Sequence, residues 1–242
     1  MAILGKAALT MWWEVEENGF DEFCHWHAHE HFPERLGIPG FQRATRWRQT
    51  GQGCGTFVMY ELEGHSVLSS PDYLARLNSP TPWSVKMMPL HHKMVRSQCE
   101  VIATAGTTTA NHALTIRLSL QNAPLNAPLL AYLEALIQTL PSRKGFTGAH
   151  LLQHRSPEIE RTAEEKIRGK DAVAEWVLVV TGYALDALHT LVDGELAPSK
   201  LKALGAEHSQ YDCYELAVSA TPKDMQQVGR AATPSLISVA NT

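Results

Sequence analysis

The sequence predicts an α+β fold made of two consecutive β-α-β-β-α-β units, residues 1–106 and 107–242. Each unit is the split βαβ arrangement of a ferredoxin-like domain. Three observations predict it. Strand-like and amphipathic runs follow that order in the first half, and the same order returns in the second half. Three short matches also link the halves at one spacing. Ala8-Leu9-Thr10 recurs as Ala113-Leu114-Thr115, Gly40-Phe41 as Gly145-Phe146, and Ala44 as Ala149, each 105 residues on. One offset shared by separate places is the mark of an internal repeat.

In the first unit, Ile3–Val15 is a strand with aromatic residues near its end, AALTMWWEV. A helix capped by Asn18 or Asp21 follows and runs to about Phe32. Pro39-Gly40 turns the chain into the strand Phe41–Gln49, and Gly51, Gly53 and Gly55 turn it into the strand Thr56–Leu62. Pro71–Leu77 is a short helix, Asn78–Pro82 a loop, and Trp83–Val95 a helix broken near Pro89. Arg96–Ala105 closes the unit as its fourth strand. In the second unit the strand marked by Ala113-Leu114-Thr115 leads to the helix Leu129–Leu140. The strands His150–His154 and Glu175–Thr181, the helix Leu185–Val192 and the strand Tyr211–Ser219 complete it. The charged insertion Arg155–Lys170 is expected to be a surface excursion, and the tail after Thr221 to wrap the body or fray.

Composition narrows the function. Apolar residues at 44% and charged residues at 19% suit a globular chain with a real core. A net charge of −4, with signs mixed and no basic stripe, argues against a nucleic-acid partner or an anionic membrane surface. Cys24, Cys54, Cys99 and Cys213 lie far apart without a CxxC pair. Neither a disulfide framework nor a structural zinc site is expected, and a reducing cytoplasm is the expected location. The opening MAILGKAALT lacks a signal-peptide pattern, and no stretch approaches the roughly 18 apolar residues of a membrane span. There is no P-loop, no GxGxxG after a strand and no GxSxG, so neither a nucleotide cofactor nor serine hydrolysis is indicated.

The stretch Phe20–Arg46 carries the functional signal. His25, His27, His29 and His31 stand at every second position. At about 100° per residue, Phe20, Phe23, Cys24, His27, His31 and Glu34 share one stripe, with His25 and His29 nearly opposite. His27 and His31 therefore point inward with the aromatic residues, where packing alone would have supplied leucine. A neutral imidazole on an apolar face can take a proton from a carbon or hydroxyl acid. Two plainer readings compete: a hydrogen-bonded pair of core histidines, and a metal held through His27 and His31. The metal reading needs a third ligand such as His91, His92 or Glu14, and the run is HAHEH, not HExxH. At the 105-residue offset His27 and His31 correspond to Tyr132 and Leu136, so chemistry is expected in the first half and packing in the second.

The run His27-x-x-Glu30-His31-x-Pro33-Glu34-Arg35-Leu36-x-Ile38-Pro39-Gly40-Phe41 resembles the helix-one signature of EthD-like proteins, within the dimeric α/β-barrel superfamily. The resemblance covers about residues 1–105. It implies that two ferredoxin-like units pair across their sheets; here both come from one chain, forming an intramolecular dimeric α/β-barrel. It also implies a pocket between sheet and long helices with His31 at its wall. Such families include cofactor-free oxygenases, polyketide cyclases, lactone isomerases and haem enzymes, so the fold does not select the reaction.

Other side chains are candidates around that pocket. Arg35 can bind a substrate carboxylate or enolate, or form a structural ion pair. Trp12, Trp13, Trp47, Tyr60 and Trp83 are numerous for one half-chain. Some must be core, and Trp47, Tyr60 and Trp83 are the ones expected to line a pocket for an apolar ligand. One of His91 and His92 faces inward beside Met87, Met88 and Met94, and His92 is taken as the binding residue. Cys24 is near His27, but a buried free cysteine is usually inert. The expected function is a cofactor-independent enzyme in which His31, assisted by His27, takes a proton from a small aromatic or ketide-like substrate. The outcome would be lyase, isomerase, cyclase or oxygenase chemistry. A metal-dependent enzyme or a non-catalytic small-molecule binder is the alternative, and an exposed sheet edge leaves a homodimer open.

Overall fold

The computed structural model describes residues 3–51, 55–122, 125–156, 162–169 and 171–225. Its strands are β1 (Ala7–Val15), β2 (Phe41–Gln49), β3 (Gly55–Leu62), β4 (His91–Gly106), β5 (His112–Leu120), β6 (Phe146–His154), β7 (Trp176–Gly182) and β8 (Ala206–Ala220). They close into one barrel in the order β1-β3-β2-β8-β5-β7-β6-β4. β2 joins β8 and β4 joins β6, both antiparallel. Among the described residues, every strand is paired on both sides in the closed barrel. The helices are α1 (Glu17–Trp26), α2 (Phe32–Leu36), α3 (Pro71–Asn78), α4 (Pro82–Met87), α5 (Ala127–Thr139), α6 (Ala163–Arg168), α7 (Leu185–Asp193) and α8 (Pro198–Leu204). Among the described residues, no helix is long and apolar enough to cross a membrane.

Strand alternation divides the core in three. On β1, Ala7, Leu9, Met11, Trp13 and Val15 pack with Phe23, Trp26 and Phe32 of the helical layer, while Ala8 and Trp12 face the barrel interior. Aromatic rings fill that interior, with Trp12 and Trp47 each stacked on Phe57 at 5.1 Å. The third cluster joins Leu129, Leu133, Leu136 and Ile137 of α5 to Leu151 and Leu178 of the sheet and Leu188 of α7. The turn into β2 requires a glycine. Gly40 has φ +92°, and a Cβ there would lie 2.4 Å from Val67. Leu136 is buried, so Leu136→Ala should cost about 2–5 kcal/mol. A urea midpoint that barely moves would show that α5 is not a packing helix.

Several elements depart from the sequence expectation. α1 starts at Glu17 with no side-chain cap, so neither Asn18 nor Asp21 caps it. The helix expected over Trp83–Val95 ends at Met87, a 3₁₀ turn covers Met88–Leu90, and β4 begins at His91. Pro89 has no N–H to continue the helix, while β1 offers a pairing partner, with Val15 opposite His91 and Glu14 opposite His92. β6 begins at Phe146 and β8 at Ala206, both earlier than expected, and α8 is additional. The insertion is not a surface excursion throughout, because it carries α6, whose start buries Thr162 and Glu164. Gly53 and the tail beyond residue 225 lie outside the described residues.

Candidate functional site

Between α1 and α2 the helix widens into a π turn, His27–His31, in which the Phe32 N–H donates to the His27 carbonyl five residues back. Pro33 accounts for the widening: it lacks an N–H, and its ring crowds the carbonyl four residues earlier. The extra residue in the turn moves Trp26 onto the inward face beside His27, His31, Phe32 and Arg35, all buried. His25 and His29 remain exposed with rings 4.4 Å apart. Glu30 fixes the turn to α4, accepting hydrogen bonds from Trp26 Nε1 (3.1 Å), Thr81 Oγ1 (2.5 Å) and Ser84 Oγ (3.4 Å).

Aromatic rings enclose the two inward histidines. The His27 and His31 centroids lie 5.4 Å apart. His27 lies 4.4 Å from Phe32 and 5.2 Å from Phe23, and His31 lies 4.6 Å from Trp26. His91 enters from β4, 4.9 Å from Trp13 and 5.8 Å from Trp26. Burial, with the nearby charges of Arg46, His91 and Arg35 in support, holds the His27 pKa well below its ordinary value. The ring is neutral at pH 7, and its Nδ1 has no hydrogen-bond partner among the described residues. It can accept a proton, and an anion formed beside it would stabilise the resulting imidazolium.

Charge enters this face through arginines. Arg35 is buried against Glu164 of α6, with Glu34 at 3.7 Å, and its guanidinium lies over the Tyr73 ring at 5.9 Å. Burial opposes the Arg35 charge, but Glu164, Tyr73, Tyr60 and Glu34 outweigh it and raise its pKa. Arg46 lies over Phe23 at 5.2 Å. Tyr60 packs against Phe32 and Phe41, and burial raises its phenol pKa despite Arg35. Among the described residues, the Tyr60 hydroxyl and Arg35 Nη1 are buried donors without hydrogen bonds.

The structure thus gathers His27, His31, Arg35 and Tyr60 of the predicted residues on one side of the sheet and separates the rest. Trp47 lies in the barrel interior, on the opposite face from Arg46. Trp83 sits half-buried on the outer side of α1, 5.4 Å from His25. His92 is largely exposed and 3.3 Å from Glu16, because strand alternation turns it away from its neighbour His91. Sequence reasoning missed His91 as the inward residue, together with Trp26 and Arg46. The signal for His91 was the β4 alternation, hidden by a methionine-rich run that reads as helix. Burial raises the Cys24 thiol, so it carries no thiolate for nucleophilic chemistry. Among the described residues, no group of three or more His, Cys, Asp or Glu side chains is placed to hold a metal ion.

Two buried neutral imidazoles make the fold acid-sensitive. His27 and His150 both fall below the ordinary 6.5, His150 to about 4 through burial and Arg43. Above 6.5 neither state is protonated there, so these groups contribute no difference. Below it, the unfolded chain takes up protons that the folded chain refuses. Stability should then fall by about 1.4 kcal/mol per pH unit for each group, down to the folded pKa. The urea midpoint should drop more steeply between pH 7 and pH 5 for the wild type than for His27→Leu. Equal slopes would contradict a neutral, buried His27.

No protein-family model matches the chain, and no curated protein matches it. Solved structures share its fold. An anthrone oxidase-like protein is similar at 11% identity and TM-score 0.60, over 90% of this chain and 94% of that one. Two proteins described as putative monooxygenases are similar too. The one from Fusobacterium nucleatum subsp. nucleatum matches at 7% identity and TM-score 0.60, over 90% and 96% of the chains. The one from Lactobacillus acidophilus matches at 9% identity and TM-score 0.57, over 90% and 97%. At these identities the likeness is one of fold.

Proposed function

We propose that the chain is an enzyme that removes a proton from a small, aromatic or ketide-like substrate and passes the resulting carbanion to dioxygen, without a bound cofactor. The observation that carries this reading is the buried His27–His31 pair inside a cage of Trp13, Phe23, Trp26 and Phe32. His31, slightly more accessible than His27, is the base. The Tyr60 hydroxyl and Arg35 Nη1 are the donors for the substrate oxygen that gains charge. The fold likeness to an anthrone oxidase-like protein makes anthrone the first substrate to try. His31 takes a proton from its methylene carbon, and the enolate adds to dioxygen. Loss of the second methylene hydrogen as the O–O bond breaks gives anthraquinone and water.

The same reading takes residues 1–106 and 107–242 as duplicated ferredoxin-like units, related to EthD-like proteins and paired as two chains pair in dimeric α/β-barrels. The strand orders β4-β1-β3-β2 and β8-β5-β7-β6 support it. Oxygen uptake with anthrone, in the presence of a chelator and without added reductant, tests the reaction. Turnover that the chelator removes and a divalent metal restores would replace it with metal chemistry through His27 and His31. Tight binding of anthrone and related ketides without turnover would make the chain a binding protein.

A further inference from the structure

The barrel has an opening at one end. Where β1 ends and the early part of β8 passes, a cavity of about 550 Å³ is lined by Trp12, Gln49, Arg117, Gln210, Asp212 and Tyr214, among others. A neighbouring cavity of about 530 Å³ shares Arg117 and Gln210. These volumes fall in the range that holds small organic ligands.

The lining has a flat apolar floor and a fixed polar edge. Trp12 and Tyr214 both pack on Phe57, at 5.1 and 5.6 Å. The Arg117 guanidinium lies over the Trp12 ring at 5.2 Å, and its Nη2 donates to Asp212 at 3.0 Å. Gln49 donates to the other Asp212 oxygen at 3.3 Å, and Trp12 Nε1 donates to Thr115 at 3.2 Å. Arg117 is therefore held in place, yet its Nε is a buried donor with no hydrogen bond among the described residues. The guanidinium keeps an exposed edge, with 13% of the side chain accessible, where an acceptor on a ligand can meet its charge. The charged groups at this mouth are Glu14, Lys93, Arg117, Asp171 and Asp212, so negative charge exceeds positive by one and an anion is disfavoured.

We propose that this barrel-end cavity is a second binding site, for a neutral planar aromatic ligand carrying a carbonyl acceptor. The ligand's ring lies against Trp12 and Tyr214, and its carbonyl meets Arg117. Trp12 and Tyr214 belong to the interior side of the sheet, while Trp13, which also borders the cavity, packs on the helix side near His27 and His91, so the site adjoins the histidines without including His31.

Titration of the full chain with fluorenone, followed by calorimetry, tests it. Fluorene is the same ring system without the carbonyl, and fluorenone carboxylate is the anionic analogue. Fluorenone should fill a site that Gln210→Trp removes, and both analogues should bind that site about ten-fold or more weakly. Arg117→Met should weaken fluorenone by about ten-fold and leave fluorene unchanged. Gln210→Trp, at an exposed position opposite Arg117, should obstruct the mouth and block both. It decides the question alone if Arg117→Met fails to fold. His31→Leu should leave fluorenone affinity as it is. Absence of fluorenone binding, undiminished binding to Gln210→Trp, or loss of binding in His31→Leu would each overturn the proposal.

Discussion

His31→Leu is expected to lower turnover of the substrate by about 10²–10⁴-fold, the usual contribution of a positioned base. Stability should hold or rise. Leucine fills much of the space the imidazole occupied beside Trp26, and it has no ring nitrogens to satisfy on an apolar face. His31→Ala should lose turnover to the same degree but should also lower the thermal melt, because His31 is buried and the truncation leaves a cavity beside Trp26. The two measurements together separate chemistry from packing. A fully active His31→Leu enzyme would remove His31 from the mechanism. A His31→Leu chain that unfolds while Leu136→Ala folds normally would make His31 structural, and the site would have to be sought in the second half.

Glu164→Ala is expected to destabilise the fold by about 3–5 kcal/mol, because it strands the Arg35 guanidinium in a buried setting. Both side chains are only 3% exposed. Glu34, at 3.7 Å, is too far to replace the short contact with Glu164. Replacing both partners removes the stranded charge, so Arg35→Met with Glu164→Leu should recover most of the loss. The unfolding free energies of the wild type, Arg35→Met, Glu164→Leu and the double variant form the cycle that measures the coupling. A Glu164→Ala cost below about 1 kcal/mol would mean that water reaches Arg35 and that α6 does not seal it. α6 should keep its other attachments in that variant, since the Ala163 N–H donates to Asn78 at 3.1 Å and Glu165 lies 3.7 Å from Arg96.

The sequence by itself determined the α+β class, the positions of β2 and β3, the end of β1 though not its start at Ala7, and the division of four histidines into two inward and two outward. Those features are local: alternation with a period of two and a stripe with a period of 3.6 are set by covalent geometry, whatever the chain packs against. The Pro39-Gly40 turn was legible for the same reason, since φ +92° suits only a residue without a Cβ. Barrel closure was not legible from periodicity, because pairing β2 with β8 and β4 with β6 depends on residues far apart in the chain. Residues 91–95 became strand, and His91 rather than His92 turned inward, only because β1 was present to pair with them. Trp26 joined the histidines through a π turn that no α-helical stripe anticipates. Arg35 found its partner 129 residues away, on a charged segment that reads as surface. Trp47 and Tyr60 look alike as aromatic residues of neighbouring strands, yet they face opposite sides of one sheet. Which side holds the histidines depends on where the helices pack, and only the tertiary structure decided that.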